Sequence, residues 1–176
     1  MVEAKKADGT RHLCRKGAGE TEGLCPEAVL VKESFCPEDT WEMGRVLGSQ
    51  AGPGQIYCLD GDLGVGKTLF AQGFAAGLGI REPVNSPTFT IVQQYEEGRL
   101  PLYHFDVYRI SDVSEMDEIG YEDCFYGEGV CLVEWSELVP EILPGQVIRV
   151  RIEKDLDRGF DYRRILVEGM QEHPGP

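Results

Sequence analysis

The chain has 176 residues, enough for one domain with a full hydrophobic core and too few for a second catalytic domain. Its net charge is −14, from 31 acidic and 17 basic residues, which repels a polyanion and argues against autonomous binding to nucleic acid. The six cysteines form no C-x-x-C pair and no zinc-spaced cluster with histidine, no stretch approaches the roughly 18 apolar residues of a membrane span, and no apolar signal segment opens the chain. A reduced, cytoplasmic protein without a membrane partner is therefore expected.

In chain order, residues 1–27 are rich in Lys, Glu, Gly and Ala and show no periodicity, which predicts a disordered tail. A domain is expected over 28–170, followed by a flexible end at 171–176. Ala28–Val31 reads as a short strand. Pro37 and the acidic residues after it mark a helix start, with Trp41, Val46 and Leu47 as its apolar side and a stop by Ala51-Gly52-Pro53-Gly54. Gln55–Asp60 is an apolar run with the character of a buried strand, and Thr68–Leu78 reads as a helix.

Between that strand and that helix, Gly61-Asp62-Leu63-Gly64-Val65-Gly66-Lys67-Thr68 completes G-x-x-x-x-G-K-[ST] in the required strand, loop, helix order. The glycines let backbone N–H groups turn toward an anion, and the N-terminus of the following helix adds its positive partial charge. Lys67, expected as an exposed loop lysine, can reach the β- and γ-phosphates of a nucleotide, and the Thr68 hydroxyl can ligate Mg²⁺. A glycine-rich turn that binds nothing is the plainer alternative, and the flanking elements argue against it.

Further along, Asn85-Ser86-Pro87-Thr88 is either an ordinary turn or a loop whose hydroxyls approach the γ-phosphate. Thr88–Tyr95 and Leu100–Val107, separated by Glu96-Glu97-Gly98-Arg99, predict an antiparallel hairpin. Ser111–Gly120 is expected to be a short helix, Val130–Glu134 a buried strand, and Gln146–Glu153 with Tyr162–Glu168 a closing strand pair. The predicted class is α/β: a single P-loop NTPase-like domain with a mixed parallel and antiparallel sheet flanked by helices.

Phosphoryl chemistry also needs an acid near the metal at the end of a neighbouring strand. Asp106 and Glu134 each end an apolar run, and spacing does not rank them as metal ligand or water-positioning group. Trp135 reads as core or partner surface, and His104 as a hairpin residue rather than a base. Asn85 is the only asparagine and Ser86 follows it, so the chain lacks the Asn-Lys-x-Asp element that reads guanine. Adenine is the expected base, and ATP with Mg²⁺ the expected cofactor.

The P-loop, Ser86-Pro87-Thr88-Phe89, Tyr103-His104-Phe105-Asp106-Val107-Tyr108-Arg109 and Glu134-Trp135, in this order, resemble the bacterial TsaE (YjeE) family. Coverage runs from about Val29 to Val167, and the H-F-D-x-Y-R and E-W elements are far more specific than the P-loop. The resemblance implies a small, weak ATPase of tRNA threonylcarbamoyladenosine (t⁶A37) biosynthesis that acts on TsaB- and TsaD-like partners and meets tRNA only through them. It implies Thr68 and Glu134 as Mg²⁺ ligands and Asp106 as a Walker-B-like aspartate; Asp106 and Lys67 are then the expected catalytic residues, and Gly61 to Thr68 plus Leu69 the expected nucleotide contacts. Leu69 departs from the second threonine of many relatives, and the N-terminal tail is longer than theirs. Two other classes stay open: a small-molecule kinase, and a nucleotide-gated binding module with negligible turnover.

Overall fold

The computed structural model describes residues 30–170; the expected tail at 1–27, the start of the first predicted strand and the expected flexible end at 171–176 lie outside the described residues. One seven-stranded sheet carries the fold. Its strands are β1 (Leu30–Ser34), β2 (Ile56–Asp60), β3 (Val92–Tyr95), β4 (Leu102–Asp106), β5 (Val130–Glu134), β6 (Ile148–Lys154) and β7 (Arg163–Glu168), in the spatial order β1-β7-β6-β2-β5-β4-β3. The central β6, β2, β5 and β4 run parallel, while β3, β7 and β1 each join their neighbours antiparallel. The mixed sheet and the predicted hairpin are both present.

Alternation with period two divides the core into two layers. On β2, Tyr57 and Leu59 face one layer while Ile56 and Cys58 face the other; on β5, Val130 and Leu132 oppose Cys131 and Val133 in the same way. The first layer is closed by α1 (Pro37–Gln50) and α2 (Lys67–Leu78), the second by the short helices α3 (Ser114–Glu118) and α4 (Tyr121–Phe125). Cys58 and Cys131 are buried in the second layer, and burial pushes both thiols up in pKa. Among the described residues, no helix is long and apolar enough to cross a membrane.

Helix α1 starts where expected, with Pro37 in its first turn beside Glu38 and Asp39. Its buried face differs from expectation: Thr40, Met43, Gly44, Leu47 and Gly48 are inside, and of Trp41, Val46 and Leu47 only Leu47 is buried. The cause is a backbone-to-backbone contact with α2. A Cβ on Gly44 would lie 2.2 Å from the Phe70 carbonyl oxygen, and one on Gly73 would lie 1.9 Å from that of Trp41. Gly48 and Gly77 repeat the contact one turn on, at 2.0 Å from the Phe74 oxygen and 2.2 Å from the Arg45 oxygen. Hydropathy does not register such a seam because its residues are selected for size. Helix α2 ends in a Schellman cap, with Gly79 at φ 89° and the Gly79 and Ile80 N–H groups donating to Ala76 and Ala75.

Two further differences concern boundaries. Strand β3 begins at Val92 rather than Thr88, because the Thr90 and Ile91 N–H groups both donate to the Pro87 carbonyl and turn the chain first. Helix α4 follows α3 directly after Gly120, which takes φ 68°.

The glycine seam generates a stability prediction. Gly73→Ala and Gly44→Ala should each destabilise the domain by about 1–3 kcal/mol or more, since neither helix backbone can retreat without opening the core. Gly145→Ala, whose Cβ would meet nothing within 4 Å, should change stability by no more than about 0.5 kcal/mol. Urea unfolding midpoints measured on the three variants check this; equal midpoints would show that the helices do not touch along this line.

Candidate functional site

Strand β2 delivers the chain to the phosphate-loop motif at the edge of the sheet where the parallel strands end. Gly61, at φ 145°, passes so close to β6 that a Cβ there would lie 2.4 Å from the Ile152 oxygen. Gly64 and Gly66 take φ 73° and 112°, which L side chains rarely adopt, and they curl the loop back to the start of α2. The Phe70 N–H donates to the Gly66 carbonyl at 3.0 Å, and no side chain caps the helix. The first N–H groups of a twelve-residue helix thus keep their positive end for an anion. Val65 anchors the loop in the core, and Arg163 braces it from behind: Nε donates to the Val65 carbonyl at 2.7 Å while Nη1 donates to those of Phe160 and Tyr162.

Lys67 is not the exposed side chain that the motif suggests; it is only 6% exposed. Its ammonium donates to the carbonyls of Gly61 at 2.6 Å and Asp62 at 3.1 Å, and stands 3.7 Å from the centre of the Trp135 ring. Burial lowers its pKa from the ordinary lysine range, and the negative charges of Glu134 and Asp106 oppose that shift.

The two acids arrive by register. In the parallel β4–β5 ladder Asp106 is opposite Glu134, and alternation places His104 and Asp106 on one face of β4 with Leu102. Oδ2 of Asp106 accepts from the hydroxyls of Ser86 and Thr88, the latter at 2.6 Å, and Oδ1 accepts from the Tyr108 N–H at 3.1 Å. Oε1 of Glu134 lies 2.9 Å from Nε2 of His104.

These groups surround one cavity of about 480 Å³, lined by Leu63, Gly64, Gly66, Lys67, Thr68, Leu69, Ser86, Thr88, Asp106, Tyr108, Glu134 and Trp135. Most of the expected residues are brought together here. Gly61, Asp62 and Val65 are not among the lining residues: Gly61 is pressed against β6, Val65 is in the core, and the Asp62 carboxylate lies 3.7 Å from the Lys154 ammonium. The residue types suit a magnesium nucleotide. Uncapped amides and a lysine match phosphate, and the oxygens of Thr68, Asp106 and Glu134 match a hard cation that takes its remaining ligands from phosphate and water. Among the described residues, no group of three or more His, Cys, Asp or Glu side chains forms a self-sufficient metal cage.

Sequence reasoning underrated Trp135, Tyr108 and His104. Trp135 takes φ 63° directly after Glu134, lines the cavity, and packs on Tyr108 with ring centres 4.9 Å apart. The adjacency of Trp135 to a predicted site acid was the available signal; its left-handed backbone was not readable.

The family described as Threonylcarbamoyl adenosine biosynthesis protein TsaE matches residues 36–165. A Bacillus subtilis protein named tRNA threonylcarbamoyladenosine biosynthesis protein TsaE is 49% identical over 129 residues, covering 73% of this chain and 78% of its own length. Its namesake from Treponema pallidum is 40% identical over 135 residues, covering 77% and 91%. The crystal structure of Bacillus subtilis YdiB superposes with a TM-score of 0.70 at 39% identity, covering 82% of this chain and 88% of that one. With a family match across most of its length, a relative 49% identical and a solved structure of similar fold, the chain belongs to the TsaE family.

Proposed function

We propose that this chain binds ATP with Mg²⁺ in the cradle formed by Gly61 to Thr68 and hydrolyses it slowly as an accessory protein of t⁶A37 formation on tRNA. It acts in the cytoplasm on a complex of TsaB- and TsaD-like proteins and does not itself transfer the threonylcarbamoyl group. The observation that carries the reading is the convergence, in one cavity, of the α2 N-terminus, Lys67, and two carboxylates from adjacent strand ends. The names of the relatives supply the pathway.

In this reading the protein contributes position and charge. The α2 amides and Lys67 hold the phosphates, and Lys67 exchanges its carbonyl partners for phosphate oxygens. Thr68 and Glu134 would hold the Mg²⁺, and Asp106 would orient the attacking water. Bound Mg²⁺ supplies Lewis acidity and neutralises phosphate charge. Trp135 and Tyr108 form one wall of the cavity.

Of the two other classes, the nucleotide-gated module has one observation in its favour: the Ser86 and Thr88 hydroxyls are engaged on Asp106, so a loop beside the cavity is already linked to a site acid. Phosphate release measured with and without partner proteins separates the readings. An ATPase needs only water, a kinase needs a small acceptor, and a pure switch releases nothing.

The two carboxylates should separate by phenotype. Glu134→Ala should make ATP binding nearly independent of Mg²⁺, whereas Asp106→Ala should leave that dependence in place and slow hydrolysis by about 10²-fold or more. Calorimetric titrations with and without Mg²⁺, together with phosphate-release assays, check the assignment; a reversed pattern exchanges the two roles.

The charge of −14 generates a second expectation. The purified chain should show no salt-sensitive tRNA binding at about 0.1–0.2 M salt, because its net charge leaves few cations with which to release phosphate counterions. Association should appear on addition of the partner complex and ATP. Filter binding of labelled tRNA is the assay, and tight binding by the isolated chain would contradict the accessory role.

A further inference from the structure

His104 is wholly buried in the middle of β4, opposite Leu132 of β5 and opposite Gln93 of β3. Its neighbours on that face are Leu102 on one side and Asp106 on the other. Burial of an imidazole costs desolvation that an apolar side chain of similar volume would avoid, so packing alone does not account for a histidine here. Its one side-chain hydrogen bond among the described residues runs from Nε2 to Oε1 of Glu134 at 2.9 Å. A carboxylate only accepts, so Nε2 carries the proton. Nδ1 is buried and has no hydrogen-bond partner among the described residues.

The two site acids are held very differently. Asp106 accepts three hydrogen bonds, from Ser86, Thr88 and the Tyr108 amide. The Glu134 carboxylate accepts a single one among the described residues, the bond from His104. Glu134 also lines the cavity, so the same carboxylate is anchored through Oε1 from within the sheet and presented to the site.

We infer that His104 is a positioning residue: its Nε2–H fixes the rotamer of Glu134 so that the carboxylate meets the cation of a bound magnesium nucleotide already oriented. This rests on the reading of Glu134 as the metal-facing acid given above. A histidine is suited to the task because its planar ring, locked between two strands, sets the direction of the bond. Partners of this kind around metal-binding carboxylates typically change metal affinity by about 10- to 100-fold when removed.

The test measures ATP affinity with and without Mg²⁺ by calorimetry on the full chain, for wild type, His104→Leu, His104→Gln, Glu134→Ala and the double variant His104→Leu/Glu134→Ala. His104→Leu should lose about 10- to 100-fold of the Mg²⁺-dependent gain in affinity while its Mg²⁺-free affinity stays at the wild-type level. His104→Gln, which keeps an N–H near the ε position, should retain most of the gain. The double variant should show no loss beyond Glu134→Ala alone. If His104→Leu fails to fold by circular dichroism, His104→Asn, polar but one bond too short to reach Glu134, takes its place and should show the same loss.

A His104→Leu or His104→Asn protein with the full wild-type gain overturns the inference and leaves the metal reading of Glu134 intact. So does an additive loss in the double variant, which would assign His104 to packing. A wild-type protein whose ATP affinity does not respond to Mg²⁺ refutes the metal reading itself, and the inference with it.

Discussion

Three parallel strands that end side by side make everything else at this site possible. Because β2 lies beside β5, and β5 beside β4, the loop after β2, Glu134 at the end of β5 and Asp106 at the end of β4 are delivered to one edge of the sheet without any long-range adjustment. Ligand sites in open α/β sheets form at this carboxyl edge because backbone amides, helix N-termini and strand-end side chains all point outward there. The glycine seam between α1 and α2 serves the same geometry: with the helix backbones in contact, both fit over one face of the sheet, and α2 begins where β2 releases the chain.

Within the cavity, the Lys67 ammonium faces two carboxylates, Glu134 and Asp106. Lys67 is surrounded by backbone carbonyls, an aromatic face and the charges of Glu134 and Asp106, and its burial lowers its proton affinity against their opposing pull. In the proposed reading, a polyphosphate would compete with the Gly61 and Asp62 carbonyls for the ammonium, and binding would be an exchange of partners. The brace from Arg163 to the Val65 carbonyl holds the loop from the opposite side.

Much of this was legible in the sequence because it is local. The phosphate loop is specified by glycine positions and by the strand and helix on either side; the acids at 106 and 134 are marked by the apolar runs they terminate; and the hairpin follows from the turn residues between two β-rich segments. What escaped is non-local or concerns size. The true buried face of α1 is set by Gly44 and Gly48, which hydropathy scores as neutral. The late start of β3 follows from a turn at Pro87 whose hydroxyl side chains bind an acid some twenty residues away. Lys67 looked exposed because a lysine in a glycine-rich loop ordinarily is, and only the fold reveals the carbonyls and the indole around it. The sequence pattern makes His104 a strand residue, which it is, but its bond to Glu134 depends on a ladder register that no local pattern specifies.

The central claim is that the loop from Gly61 to Thr68 is a phosphate cradle and that Lys67 carries its charge to the nucleotide. Calorimetric titration of ATP into wild-type protein and into Lys67→Ala tests it most directly, with thermal unfolding run alongside to confirm that the variant is folded. The account predicts clear binding by the wild type and a loss of about tenfold or more in the variant, the scale of a charge-assisted contact removed from a partly buried site. A folded Lys67→Ala protein that binds ATP as tightly as the wild type would contradict it.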